Sequence, residues 1–181
     1  MPTATQSAGK SRGSSTSRKT AAKKAAVTRA RDAIALLKAD HRAVEKLFSQ
    51  YEKAKEDDAQ KQAIAQQICM ELTVHTQIEE EIFYPASREF VDEEDIVNEA
   101  YVEHASAKDL IAQIEGMEPS DEMYDAKVKV LQEMIEHHVE EEEQEYFPQT
   151  KKNGMDTKAI GEQLLARKEE LMGQMDGMAK H

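Results

Sequence analysis

Between residues 30 and 150, apolar side chains recur at intervals of three and four, the spacing that lines one face of a helix. The first stripe is Ile34, Leu37, His41, Val44, Phe48 and Tyr51. It breaks near Asp57 and Asp58, either of which can cap the next helix. The second stripe, Ile64, Ile68, Leu72, His75, Glu79 and Ile82, is closed by Pro85. Asp92, followed by Asp95, suits the N-terminus of a third helix, where acids complement the helix dipole. Its stripe runs Val97, Tyr101, His104, Ile111 and Ile114 and ends around Gly116 to Pro119. Ser120 can cap the fourth, which runs Tyr124, Lys127 or Val128, Leu131, Ile135, His138, Glu142 and Tyr146 and stops at Pro148. A shorter amphipathic piece over residues 156–172 follows the turn at Lys151 to Gly154. Short connections between four long helices predict an all-α fold, an up-down-up-down antiparallel four-helix bundle with a short C-terminal helix.

The stripes repeat. His41 and His104, His75 and His138, Glu79 and Glu142, and Pro85 and Pro148 are each separated by 63 residues. Asp40 before His41 answers Glu103 before His104, and Phe83-Tyr84-Pro85 answers Tyr146-Phe147-Pro148. The body therefore reads as two copies of a helix pair, each carrying one His and then a His-x-x-x-Glu.

A single histidine in an apolar stripe is more often a hydrogen-bonded core residue than a ligand. Here each of four helices places one inward, and two helices add a Glu four residues on, on the same face. Burying such carboxylates without partners costs several kcal/mol each or forces them neutral. A pair of cations held by His41, His75, Glu79, His104, His138 and Glu142 removes that cost. Imidazole and carboxylate without thiolate argue against structural zinc and iron–sulfur clusters. Iron is the leading occupant, with manganese and zinc as alternatives, because affinity order alone does not select iron. The ferritin-like pattern of Glu-x-x-His is absent, since no His here has a Glu three residues before it.

Charge divides the chain. Residues 1–31 hold eight Lys and Arg and no acid, so the net −12 conceals a +8 segment ahead of a −20 body. The Ser/Thr/Gly-rich start reads as a disordered basic tail over residues 1–28, followed by the bundle over 29–150 and a C-terminal helix and tail over 151–181. The tail admits weak nonspecific contact with nucleic acid, though no aromatic residues interleave its charges. No apolar run approaches the length of a membrane span, and a cytoplasmic protein is the expectation. Glu80, Glu81, Glu140, Glu141, Glu143 and Glu145 read as the solvated faces of helices, and His137 as a flank residue turned from the core. Asp40 and Glu103 are candidates to hydrogen-bond ligand imidazoles.

The order His41, His75-Thr-Gln-Ile-Glu79, His104, His138-Val-Glu-Glu-Glu142 resembles the hemerythrin-like, or HHE cation-binding, family over residues 30–150. The resemblance implies a non-haem di-iron centre, oxo- or hydroxo-bridged, in which both Glu bridge and the histidines cap the irons. It implies reactivity toward dioxygen, nitric oxide or hydrogen peroxide, in redox stress response or sensing. Peroxide decomposition of a catalase-like kind is the candidate enzyme activity. The alternative is a non-catalytic iron- or oxygen-responsive module or an iron-handling protein. Oxygen-carrying members have a further His on the third helix where this chain has Lys108. Glu45 is the first candidate to replace that ligand and Tyr101 the second. The missing nitrogen ligand favours redox chemistry or sensing over oxygen carriage.

Overall fold

The computed structural model describes residues 32–54 and 57–178; the basic tail lies outside the described residues. The fold is all-helical. Five long helices are described: α1 (Ala33–Ala54), α2 (Asp58–Ile78), α3 (Asp95–Glu115), α4 (Tyr124–Glu141) and α5 (Thr157–Met178). Side-chain pairs fix their directions. His41 meets His75 while Lys61 approaches the Tyr51 ring, so α1 and α2 run antiparallel. His104 meets His138 while Lys127 reaches Gln113, so α3 and α4 do likewise. The repeat is therefore spatial as well as sequential.

The helix starts show where local chemistry prevailed. Asp57 caps α2, its carboxylate accepting from the Gln60 N–H at 3.0 Å. Asp32 does the same for α1 through the Ala35 N–H at 3.0 Å. Ser120 does not cap α4, which begins at Tyr124 without a side-chain cap. Asp92 lies outside α3 and accepts instead from Asn153 at 3.1 Å.

Neither proline ends its helix. A proline lacks an N–H, and its ring collides with the carbonyl four residues back. The chain relieves both problems by widening the preceding turn. Glu79–Phe83 and Glu142–Tyr146 are single π-helical turns, with the Tyr84 N–H donating to the Glu79 carbonyl and the Phe147 N–H to that of Glu142. Helix then resumes over Tyr84–Ser87 and Phe147–Lys152. The widened turns begin at the two inward carboxylates.

The C-terminal helix is not short. At 22 residues α5 equals α1. Gly154, at φ 89°, turns the chain into it, and Asp156 accepts from the Ala159 N–H at 3.1 Å. Thr157 bonds Asp32 and Lys168 bonds Asp40, so α5 lies parallel to α1, over the first helix pair. Its Leu164 and Leu171 are buried; each such side chain contributes about 1.5–3 kcal/mol.

The core has two apolar parts with a polar layer between them. One holds Val44, Phe48, Ile68, Leu72, Ile111 and Leu131. The other packs Leu37, Ile78 and Val97 around Phe83, Tyr84, Tyr146 and Phe147. Phe83 and Phe147 meet edge to face at 5.4 Å between ring centres, a favoured aromatic geometry.

Candidate metal centre

The polar layer consists of His41, His75, Glu79, His104, His138 and Glu142, all buried. Each histidine directs Nε2 inward. The Nε2 atoms of His41 and His75 lie 3.2 Å apart and those of His104 and His138 3.1 Å apart. Glu79 Oε2 stands 3.1 Å from His75 Nε2 and 3.5 Å from His104 Nε2. Glu142 Oε2 stands 3.3 Å from His41 Nε2 and 3.7 Å from His138 Nε2. Each carboxylate thus faces both pairs of imidazoles. Two overlapping donor groups result: His41, His75, Glu79 and Glu142, and Glu79, His104 and His138.

Both oxygens of Glu79 and one of Glu142 are buried without a hydrogen-bond partner. Orphaned carboxylate oxygens inside a bundle are costly. Burial, and Glu142 opposite, push the Glu79 carboxyl well above its usual range. Burial pushes Glu142 the same way, but His138 and His41 outweigh it and hold this carboxyl low. The two carboxyls are thus driven in opposite directions, the pattern of two neighbouring carboxylates that resist ionising together. A divalent cation would satisfy the orphaned oxygens, so the donor set fits a metal.

A second ring of carboxylates orients the imidazoles. Nδ1 of His41 faces Glu143 at 2.9 Å, that of His104 faces Glu80 at 3.1 Å, and that of His138 faces Glu103 at 2.7 Å. His75 Nδ1 faces Asp40 at 3.6 Å. A proton on Nδ1 of His41, His104 and His138, donated to these acids, leaves their Nε2 lone pairs for the interior, whereas His75 Nδ1 and Asp40 Oδ2 are buried without a hydrogen-bond partner. Asp40 and Glu103 thus serve a histidine of the neighbouring helix rather than their own. Glu80 and Glu143 were missed in the solvated-face reading, although they too stand 63 apart. Cations neutralise the ring from outside: Lys168 on Asp40, Lys38 and Arg42 on Glu143, and Lys108 on Glu80.

The two candidates for a replacement ligand do not enter the centre. Glu45 is exposed and paired with Arg42. Tyr101 donates to the Glu80 backbone carbonyl at 3.3 Å. Lys108 points to Glu80, 2.6 Å away. Tyr84 enters instead. Its hydroxyl donates to Glu142 Oε1 at 3.0 Å and lies 3.1 Å from His104 Nε2. At the equivalent place in the repeat, Phe147 stacks on His41 with ring centres 6.0 Å apart and no oxygen to offer. A cavity of about 10 Å³ adjoins the layer, between His41, His75, His104 and His138 and an apolar wall of Val44, Leu72, Ile135 and Val139. It has room for about one water-sized molecule.

The family model for the hemerythrin HHE cation binding domain matches residues 32–150. A DNA nickase of Nostoc sp. is 34% identical over 119 residues, covering 65% of this chain and 33% of that protein. The chain therefore spans about a third of that relative's length. A crystal structure of a hemerythrin HHE cation binding domain-containing protein from Mycobacterium kansasii superposes with a TM-score of 0.68 at 23% identity. The match covers 79% of this chain and 88% of that one, and at this identity it speaks to the fold. Among the described residues no helix is long and apolar enough to cross a membrane.

Proposed function

The chain belongs to the hemerythrin HHE cation-binding family, and from that premise we propose that it is a non-haem di-iron protein that binds or turns over dioxygen, nitric oxide or hydrogen peroxide. His41 and His75 would hold one ion and His104 and His138 the other, with Glu79 and Glu142 within reach of both pairs. The helices α1 to α4 act as the up-down four-helix bundle around them, and α5 is an addition to it. The observation that carries the reading is the set of three orphaned carboxylate oxygens surrounded by four inward Nε2 atoms. When bound, the irons supply a change of oxidation state and open positions for a small oxidant.

The chain's own residues do the rest. Glu143, Glu80 and Glu103 hold the imidazoles of His41, His104 and His138 in one tautomer and orientation. Val44, Leu72, Ile135 and Val139 restrict the cavity to small ligands and keep bulk water out. Tyr84 offers a seventh donor residue on the side of His104 and His138, and its hydroxyl holds a proton beside Glu142 Oε1. That phenol replaces Glu45 and Tyr101 as the candidate for the missing ligand. A hydroxyl there, in place of imidazole nitrogen, favours turnover or sensing in redox stress over reversible oxygen carriage. Peroxide decay by iron-loaded protein, compared with His75→Ala, tests turnover; equal rates reject it and leave the non-catalytic iron- or oxygen-responsive module.

Nucleic acid contact is a second reading, favoured by the +8 segment at residues 1–31 and by the name of the Nostoc relative. Removing residues 1–30 should abolish salt-sensitive DNA retention; retention unchanged by that deletion rejects it. The proposed compartment is the cytoplasm.

A further inference from the structure

Outside the buried centre, Glu103 on α3 and His137 and Glu141 on α4 bring three donor atoms within 4.8 Å of one another. His137 Nε2 lies 3.3 Å from Glu141 Oε1 and 3.9 Å from Glu103 Oε1. The imidazole is 64% exposed, so a hydrated ion can reach it. The His–Glu pair at i, i+4 repeats, on the helix flank, the arrangement that His138 and Glu142 present inward. Glu99 and Glu145 stand close enough to Glu141 to act on its charge, which makes the patch attractive to cations.

The internal repeat makes the cluster informative. At the equivalent positions of the first helix pair stand Asp40, Val74 and Ile78. There Val74 and Ile78 are fully buried, and Lys168 of α5 holds Asp40 at 2.6 Å. The second pair has no such lysine: among the described residues no Lys or Arg lies within ion-pair distance of Glu103, whose partners are His137 and His138. Where one copy seats a protein cation, the other offers an imidazole and two carboxylates.

We propose that Glu103, His137 and Glu141 form a third, surface metal position that takes a first-row divalent cation and passes it to the buried pair. Three protein donors leave coordination positions for water, so the ion is held weakly and exchanges readily. One nitrogen with carboxylate oxygens suits Mn²⁺, Fe²⁺ or Zn²⁺, and the imidazole argues against Mg²⁺ and Ca²⁺. Glu103 links the two places, since its other oxygen holds His138 Nδ1 at 2.7 Å. The loading role rests on the reading of the buried layer as a metal centre; the surface position does not.

Mn²⁺ titrated into chelator-stripped full-length protein, with bound metal counted by equilibrium dialysis, tests this. Wild type should bind three ions per chain, the weakest being lost in His137→Ala and in Glu141→Gln. In both variants the two remaining ions should bind severalfold more slowly. Exposed Glu45→Gln should match wild type. Three ions retained in both variants, or two in wild type, overturns the surface position. An unchanged filling rate after loss of the weak ion overturns the loading role. A single ion in wild type, lost in His137→Ala, sinks the buried centre and leaves the surface position standing.

Discussion

At His75, Nδ1 faces Asp40 across 3.6 Å; at His138, 63 residues later, it faces Glu103 across 2.7 Å. The two halves of the centre share one plan and differ in how each is finished. The first half lies under α5, with Lys168 on Asp40 and Phe147 stacked on His41. The second, among the described residues, has no long helix over the corresponding face, and Val102 and Val130 remain exposed on α3 and α4. It also receives the Tyr84 hydroxyl. Equivalent histidines consequently differ in charge preference. In the metal-free protein burial pushes His75 down to about 4, against the opposing pull of Asp40. Burial acts on His138 in the same direction, but Glu142 and Glu103 outweigh it and raise that imidazole. A repeat with identical ligands thus yields two buried halves with different polar neighbours, and reactivity is expected at His104 and His138, where the Tyr84 hydroxyl stands.

The shared carboxylate sets the limit of that asymmetry. Glu79→Ala removes a donor from both halves, so metal bound at the buried centre should fall below one ion per chain, whereas His75→Ala should retain an ion in the second half. Equal loss in both variants would show that the halves fill only together.

Removing α5 packing should hurt the first half selectively. Leu164→Ala should cost about 2–5 kcal/mol in urea unfolding, with metal released first from the His41 and His75 side. A uniform loss of both ions would break the comparison.

Acid should separate the halves in metal-free protein. The folded-state pKa of His75 lies below the unfolded 6.5, so its neutral form contributes stability that is lost as pH falls from 6.5 toward 4, roughly 3 kcal/mol over that window. His138 has the opposite sign. Its contribution is fully present below pH 6.5 and is lost as pH rises through its raised folded value. NMR titration of the two imidazoles checks both, and Glu103→Gln should bring His138 down.

Tyr84→Phe should cost about 1–3 kcal/mol in the metal-free protein, because Glu142 Oε1 loses its donor. In iron-loaded protein the visible spectrum should change for Tyr84→Phe and remain for Tyr101→Phe. The reverse would return Tyr101 to the centre.

Much of this was legible in the chain. The 63-residue offset exposed the six inward residues, and helical periodicity indicated the stripes that carry them. The outer acids Glu80 and Glu143 obeyed the same offset but were hidden by periodicity, which turns a residue about 100° from its neighbour and so toward solvent. Both lie against the imidazole of an adjacent helix, a placement that one helix's pattern does not contain. Tyr84 was hidden by the π turn. In an α-helix, residue 84 would sit about 140° from residue 79; five residues of π-helix return it close to the same face. Reading Pro85 as a terminator removed that possibility. Glu45 looked suitable one turn from His41 because spacing alone does not register the competing Arg42 beside it. The C-terminal helix was cut short at residue 172, just before Gly173, a glycine that the exposed side of α5 accommodates.

Anomalous X-ray scattering at the iron edge, from crystals of iron-loaded protein, addresses the centre directly. Two peaks are expected within the cage of His41, His75, Glu79, His104, His138 and Glu142, both lost when Glu79 is replaced by alanine. No peak among those six side chains, or iron bound only at the protein surface, would contradict the account.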